Sequence, residues 1–262
     1  MDDVTVEAAK PEPAPAKKPS LWLIALGFVG AIIFPAALIV PILVVLLLGA
    51  YTVQQLQDPL VLAEGLASVS TIPWFIAVGA LFTWASFFLP ILIGMRRQPF
   101  RALVSWWPSG YRTYVVAALL AISLQVIFGI IGIVTERLGF DISSASNTGS
   151  FSGFSGPWII LAFIVIVLGA PFFEELFFRG LALNILKDRV GWGWSIAVTS
   201  VLFGVLHVAA ASSLVGSVLL GVFTASAGVL FALLVRWSGS VKVAILAHVA
   251  FNGVAFAAIF AS

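Results

Sequence analysis

The sequence predicts an all-α, polytopic integral membrane protein of about seven transmembrane helices. Three observations carry this. Of 262 residues 61% are hydrophobic and only 9% are charged, against roughly 25% charged in an ordinary soluble domain. The apolar residues are gathered into runs of about 20, the length that crosses ~30 Å of hydrocarbon at ~1.5 Å per residue. The basic residues lie between those runs and alternate in number from one loop to the next, as the positive-inside rule requires. A net charge of +2 is too small for a nucleic-acid surface, so no nucleic-acid partner is expected. The absence of Cys excludes disulfides, thiolate nucleophiles, Cys-ligated metals and lipidation of this chain on Cys.

Residues 1–20 hold seven charges together with Pro11, Pro13, Pro15 and Pro19, a composition too polar and proline-rich to pack, so a disordered cytoplasmic tail is expected. The run 21–49 is 29 residues long and lacks a small-residue cleavage site, which makes it a retained anchor helix and not a secretory signal. Runs 72–94 and 113–134 complete an N-terminal unit, 21–150, that ends in an outer loop. The Ser- and Gly-rich stretch 143–156 reads as flexible. Runs 157–186, 192–210, 214–235 and 241–261 form the core unit, 151–262. Lys10, Lys17 and Lys18 lie in the tail, Arg96, Arg97, Arg101 and Arg112 in the next inner loop, Lys187 and Arg189 in the third, Arg236 and Lys242 in the last. The outer loops carry only Arg137. The expected orientation is therefore amino terminus in the cytoplasm and carboxyl terminus outside, in the cell membrane, with Trp106, Trp107, Trp192, Trp194 and Trp237 as an inner aromatic belt. In the sixth helix Ser217, Gly221, Ala225 and Gly228 form a small-residue stripe for close helix packing.

Assigning every charge to a loop or the tail leaves three over: Glu174, Glu175 and Arg179, all in the fourth helix. Each costs roughly 2.5 to 3.5 kcal/mol at mid-helix, so the default reading of such a group is functional. Both histidines of the chain also lie in spans, His207 in the fifth and His248 in the seventh. Glu175 and Arg179 are i, i+4 and can form an ion pair, from which Glu174 is turned away by about 100°. Counted from the inner turn at 187–191, Glu174 and His207 reach similar heights of ~21 and ~25 Å, whereas His248, ~13 Å above the turn at 238–240, comes out about 8 to 12 Å lower. The heights agree only if the fourth and fifth helices project beyond the inner surface, which Asn184, Lys187, Asp188 and Arg189 on their last turns favour.

The set is thus Glu-Glu-x-x-x-Arg at 174–179, Phe-x-x-x-His at 203–207 and His-x-x-x-Asn at 248–252, in three successive apolar elements. In this ordered triple the sequence resembles the CPBP family, the intramembrane endopeptidases that include CAAX prenyl proteases and the bacteriocin-processing or immunity (Abi) proteins. The resemblance covers about residues 157–256 and implies an intramembrane endopeptidase whose partners are the bilayer and a peptide or protein substrate, which is prenylated in the eukaryotic relatives. Hydrolysis needs an activated water and donors for an oxyanion. Glu174 is the candidate base, His207 can hold the same water or carry its proton, and His248 with Asn252 can offer two oxyanion donors. The resemblance implies the same roles, with Glu175 and Arg179 as the orienting pair. Glu174, His207 and His248 are also a possible zinc ligand set, zinc being the one cofactor in view, although His-Glu-x-x-His is absent. The readings that compete are a non-catalytic scaffold or immunity protein and a proton-coupled transporter, the latter without support from an internal repeat. Gly153-Phe154-Ser155-Gly156 looks like a rhomboid serine motif, but Ser155 belongs at the outer end of the fourth helix and His248 in the inner half of the seventh. Aspartyl chemistry fails because every Asp lies outside the spans.

Overall fold

The computed structural model describes residues 19–70, 72–140, 153–208 and 213–260. Most of the tail at 1–20, most of the loop at 143–156 and the last residues expected for the fifth and seventh helices lie outside the described residues. Within them the chain is helical throughout and contains no strand. α1 spans Trp22–Ala50, α3 Pro73–Gly94, α5 Tyr111–Arg137, α9 Leu214–Ser238 and α10 Val241–Phe260. Between α5 and α9 a single helical run, Pro157–Val208, is 52 residues long. It comprises α6 (Pro157–Ala162), α7 (Ala170–Glu175) and α8 (Leu183–Val208), joined by π-helical segments at Phe163–Gly169 and Leu176–Ala182. The loop between α1 and α3 holds a helix that hydropathy did not single out, α2 (Pro59–Ser70), and α4 (Phe100–Leu103) is one short turn.

Among the described residues six helices are long and apolar enough to cross a bilayer, against about seven expected, and the difference lies in the 52-residue run. A straight helix of that length would measure about 78 Å, more than two bilayer cores. It is broken at Gly191, whose φ of 76° and ψ of 171° lie outside helical space and in a region that L side chains avoid. Beyond the break the chain turns back on itself. The Phe178 and Phe203 rings, on opposite arms, meet edge-on at 5.3 Å. The run thus contains the fourth and fifth expected helices as an antiparallel hairpin.

Large apolar side chains point outward along every long helix, among them Val45, Leu119, Ile160, Val201 and Val218. Such a surface is stable only in an apolar solvent. Inside, the largest core joins α1 and α3 to the second π segment: Leu23, Phe87, Ile91, Phe177, Phe178 and Leu181 are all buried, with Phe87 stacked on Phe177 at 5.0 Å. A second core packs Ala117 and Ala121 of α5 against Phe231 of α9 and Ala244 and Ala247 of α10. Small residues permit the close approaches. A Cβ on Gly204 would meet the Gly221 carbonyl oxygen at 2.6 Å, so the packing stripe of α9 does seat α8 against it. Of the expected belt, Trp107, Trp194 and Trp237 are exposed, while Trp192 receives Lys187 and Arg236 on its ring and Trp106 receives Lys242.

Candidate active site

The three motifs converge. Glu175 and Arg179 form the expected pair, Nη1 to Oε1 3.1 Å, with both side chains fully buried. The same carboxylate oxygen also accepts from His248 Nδ1 at 2.9 Å, a contact between helices that spacing along one helix could not reveal. The other nitrogen of His248 stands 4.0 Å from Glu174 Oε2, so the ring lies between the two adjacent glutamates. The Glu174 side chain keeps 15% of its surface exposed and makes no hydrogen bond among the described residues, whereas Glu175 is committed to Arg179 and His248. Two neighbouring carboxylates therefore have different surroundings, one held by two partners and one open to the cavity.

The level of His248 follows from a link that the height count lacked. Asn184 on α8 donates Nδ2 to the Ser105 hydroxyl at 2.8 Å and to the Leu103 carbonyl at 3.1 Å. The carbonyl of Ser105 accepts from Val241 N at 3.0 Å, and Ser240 donates its hydroxyl to the Trp107 carbonyl. The segment 103–107 therefore fastens the start of α10 to the level of Asn184, above the tip of the hairpin. Glu175 lies nine residues before Asn184 and His248 seven residues after Val241, so both stand at ~10 to 13 Å above this common layer. The tip of the hairpin at 187–191 therefore extends past the start of α10. Ser105 makes the link with a φ of 53°, the one non-glycine residue with positive φ among those described.

A second local cause places Asn252. Its Nδ2 donates to the carbonyl of Ile166 at 2.8 Å. In the π segment the Ala170 N–H bonds back to Val165, so the next donor in that pattern for Ile166 is residue 171, which is Pro and has none. Asn252 satisfies the carbonyl that Pro171 leaves open, and one amide hydrogen remains for the cavity. His207 is oriented by its own helix. Its Nδ1 lies 2.8 Å from the Phe203 carbonyl, which can only accept, so the hydrogen sits on Nδ1 and a neutral ring presents a lone pair on Nε2.

Aromatic faces hold the charged centre. The Arg179 guanidinium lies 4.3 Å from the Phe203 ring and 5.6 Å from the Phe178 and Phe231 rings, and Phe231 stacks on His248 at 4.7 Å. Glu175 Oε2, Arg179 Nε and Nη2 and the Ser200 hydroxyl are buried without hydrogen-bond partners among the described residues. Gly228 makes room for this centre: a Cβ there would sit 2.6 Å from Arg179 Nη2 and 3.2 Å from Ser200 Cα. This member of the small-residue stripe thus serves the buried ion pair, a role that the packing reading did not anticipate. Gly228→Ala is expected to lower the unfolding midpoint in detergent by the equivalent of ~1 to 3 kcal/mol, the usual cost of overpacking. Gly49→Ala, where a Cβ meets nothing within 4 Å, is expected to leave it in place.

Glu174, Phe203, His207, His248 and Asn252 line one cavity of about 390 Å³. All the site residues expected from the sequence are therefore gathered in or directly behind this cavity, with Glu175 and Arg179 forming the layer behind. Glu174, His207 and His248 share the cavity, but among the described residues no three His, Asp or Glu side chains stand close enough together to hold a metal ion. Ser155 is exposed, just before α6, and 20 residues separate it from Glu175, the partner of His248. No proton transfer joins it to that histidine. Two polar cavity residues escaped sequence reasoning, Gln125 on α5 and Thr224 on α9, uncharged side chains that a search for ionisable groups passes over.

Fold and site together define a polytopic helical membrane protein with a buried Arg-Glu-His contact chain behind a carboxylate that opens into an intramembrane cavity. Residues 156–254 match the model of a protein family described as type II CAAX prenyl endopeptidase Rce1-like, the kind of protease that the three motifs resemble, and the match contains every motif residue. Neither a curated protein nor a solved structure matches the chain significantly.

Proposed function

We propose that the protein is an intramembrane endopeptidase that hydrolyses a peptide bond with water activated by Glu174. The observation that carries this is the division between the two glutamates: Glu175 is spent on Arg179 and His248, while Glu174 faces the cavity 4.0 Å from His248. In this reading the substrate carbonyl enters the cavity and Glu174 takes a proton from water as the water oxygen bonds to the carbonyl carbon. With Nδ1–H of His248 held by Glu175, a hydrogen carried on Nε2 and the free hydrogen of Asn252 receive the developing oxyanion, each worth about 3 kcal/mol. The tetrahedral intermediate then collapses. The C–N bond breaks, and the proton held by Glu174 passes to the leaving amine, directly or through Nε2 of His207, which returns the carboxylate to its starting state.

The chemistry as written uses only side chains of this chain. Because the His and Glu residues of the cavity are not gathered as a ligand set, activity of the purified protein is expected to survive prolonged dialysis against a chelator. Loss of cleavage that zinc alone restores would convert the reading to the metal-assisted one. The family match and the lipid-facing surface support a membrane-bound peptide as substrate, and a prenylated CAAX carboxyl terminus is its first candidate. We place the amino terminus in the cytoplasm, with the cavity accessible from that side of the cell membrane, on the distribution of Lys and Arg. The deciding experiment compares the proteomes of membranes carrying the parent or Glu174→Ala protein. New protein termini that appear only with the parent support proteolysis. Identical termini, combined with a proton flux that depends on Glu174, would support the transporter reading instead.

A further inference from the structure

One wall of the cavity comes from outside the matched segment. α5 contributes Gln125, Phe128, Gly129 and Gly132, positions i, i+3, i+4 and i+7 of a single helical face. Phe128 anchors this face, stacked on Phe223 of α9 at 4.4 Å and edge-on to Phe251 of α10 at 6.0 Å. Gly129 borders open space, where a Cβ built on it meets nothing within 4 Å. The polar group on the face is the Gln125 amide, which is half-buried and has no hydrogen-bond partner among the described residues. Thr224, which also lines the cavity, is different: its hydroxyl is returned to the Leu220 carbonyl at 2.6 Å.

Within a bilayer an amide without a partner is costly, and side chains of this kind are normally paired with neighbouring helices. This one instead borders the cavity that holds Glu174 and His248. A peptide backbone offers one donor and one acceptor per residue, which an amide side chain can match with its own carbonyl and NH2. From this we infer that Gln125 is a substrate-contacting residue, its side-chain amide hydrogen-bonding the backbone of a peptide that lies extended over Gly129. The inference rests on the hydrolytic reading of the cavity. It gives the motif-free N-terminal helices a part in the substrate site and assigns Gln125 to binding and not to the chemical step.

The probe is a fluorophore-labelled, farnesylated peptide that ends in a CAAX sequence. Cleavage by the parent protein tests the hydrolytic reading. Binding to Glu174→Ala protein, with and without the additional Gln125→Met substitution, tests Gln125, because Met preserves the length of the side chain and removes its donors and acceptor. Gln125→Met is expected to weaken binding about tenfold, the loss of roughly one hydrogen bond. In the active protein it is expected to raise KM about tenfold with kcat within twofold, the signature of uniform binding. Ser123→Ala, at an exposed hydroxyl of the same helix, is expected to change neither. Equal affinity with and without Gln125→Met overturns the inference, as does a fall in kcat at constant KM or failure of the peptide to bind either protein. Binding that depends on Gln125, without cleavage by the parent, overturns the hydrolytic reading alone.

Discussion

Purified Glu174→Ala protein is expected to lose peptide hydrolysis by at least 10²- to 10⁴-fold, the usual contribution of a positioned general base, while its unfolding midpoint stays close to that of the parent. Both halves of this expectation come from the position of the side chain. Glu174 makes no hydrogen bond among the described residues and borders the cavity, so its removal strands no buried partner. It is also the nearest carboxylate oxygen to Nε2 of His248, at 4.0 Å, a separation that a water-sized group held by both could bridge. The measurement is cleavage of a peptide by matched amounts of the two proteins, with the melting curves recorded alongside. Cleavage retained by Glu174→Ala would remove this carboxylate from the mechanism. A collapsed melting curve would show that its role is structural.

Arg179→Ala should behave in the opposite way, losing stability and activity together. The guanidinium is fully buried, shares one oxygen of Glu175 with His248 and rests on the face of Phe203. Without it Glu175 is left at zero exposure with a histidine as its remaining partner, and uncompensated buried charges of this kind cost ~3 to 5 kcal/mol. Because Glu175 holds Nδ1 of His248, the disturbance is transmitted to the ring that faces Glu174. Arg179→Lys keeps the charge but loses the planar fork and its stacking, so an intermediate loss is expected. A melting curve unchanged in Arg179→Ala would refute the proposed dependence of Glu175 on its partner.

Much of the molecule could be read before any coordinate was known, because a bilayer leaves few choices. Apolar runs of fixed length must become helices when no water is present to satisfy the backbone, and each charge within them needs a reason. The helical character, the inner turn at 187–191 and the Glu175–Arg179 pair follow from run length and i, i+4 spacing, whereas the grouping of Glu174, His207, His248 and Asn252 is implied by the family resemblance of the three motifs, since axial counting alone leaves His248 about 8 to 12 Å too low. Run length and spacing are properties of one helix at a time.

Only the tertiary structure decided how the helices stand relative to one another. The axial offset of α10 is set by hydrogen bonds from a connecting segment, Ser105 and Trp107 to Asn184, Ser240 and Val241, and brings His248 onto Glu175. The facing of Asn252 depends on the carbonyl that Pro171 leaves open inside a π segment, and the room for Arg179 depends on Gly228 of another helix. Gln125 became visible only when α5 was seen to wall the same cavity. Hydropathy and spacing report which face of a helix is apolar and how far along its axis a residue lies. They carry no information on the shift and rotation between neighbouring helices, which are fixed by long-range contacts between residues far apart in the chain.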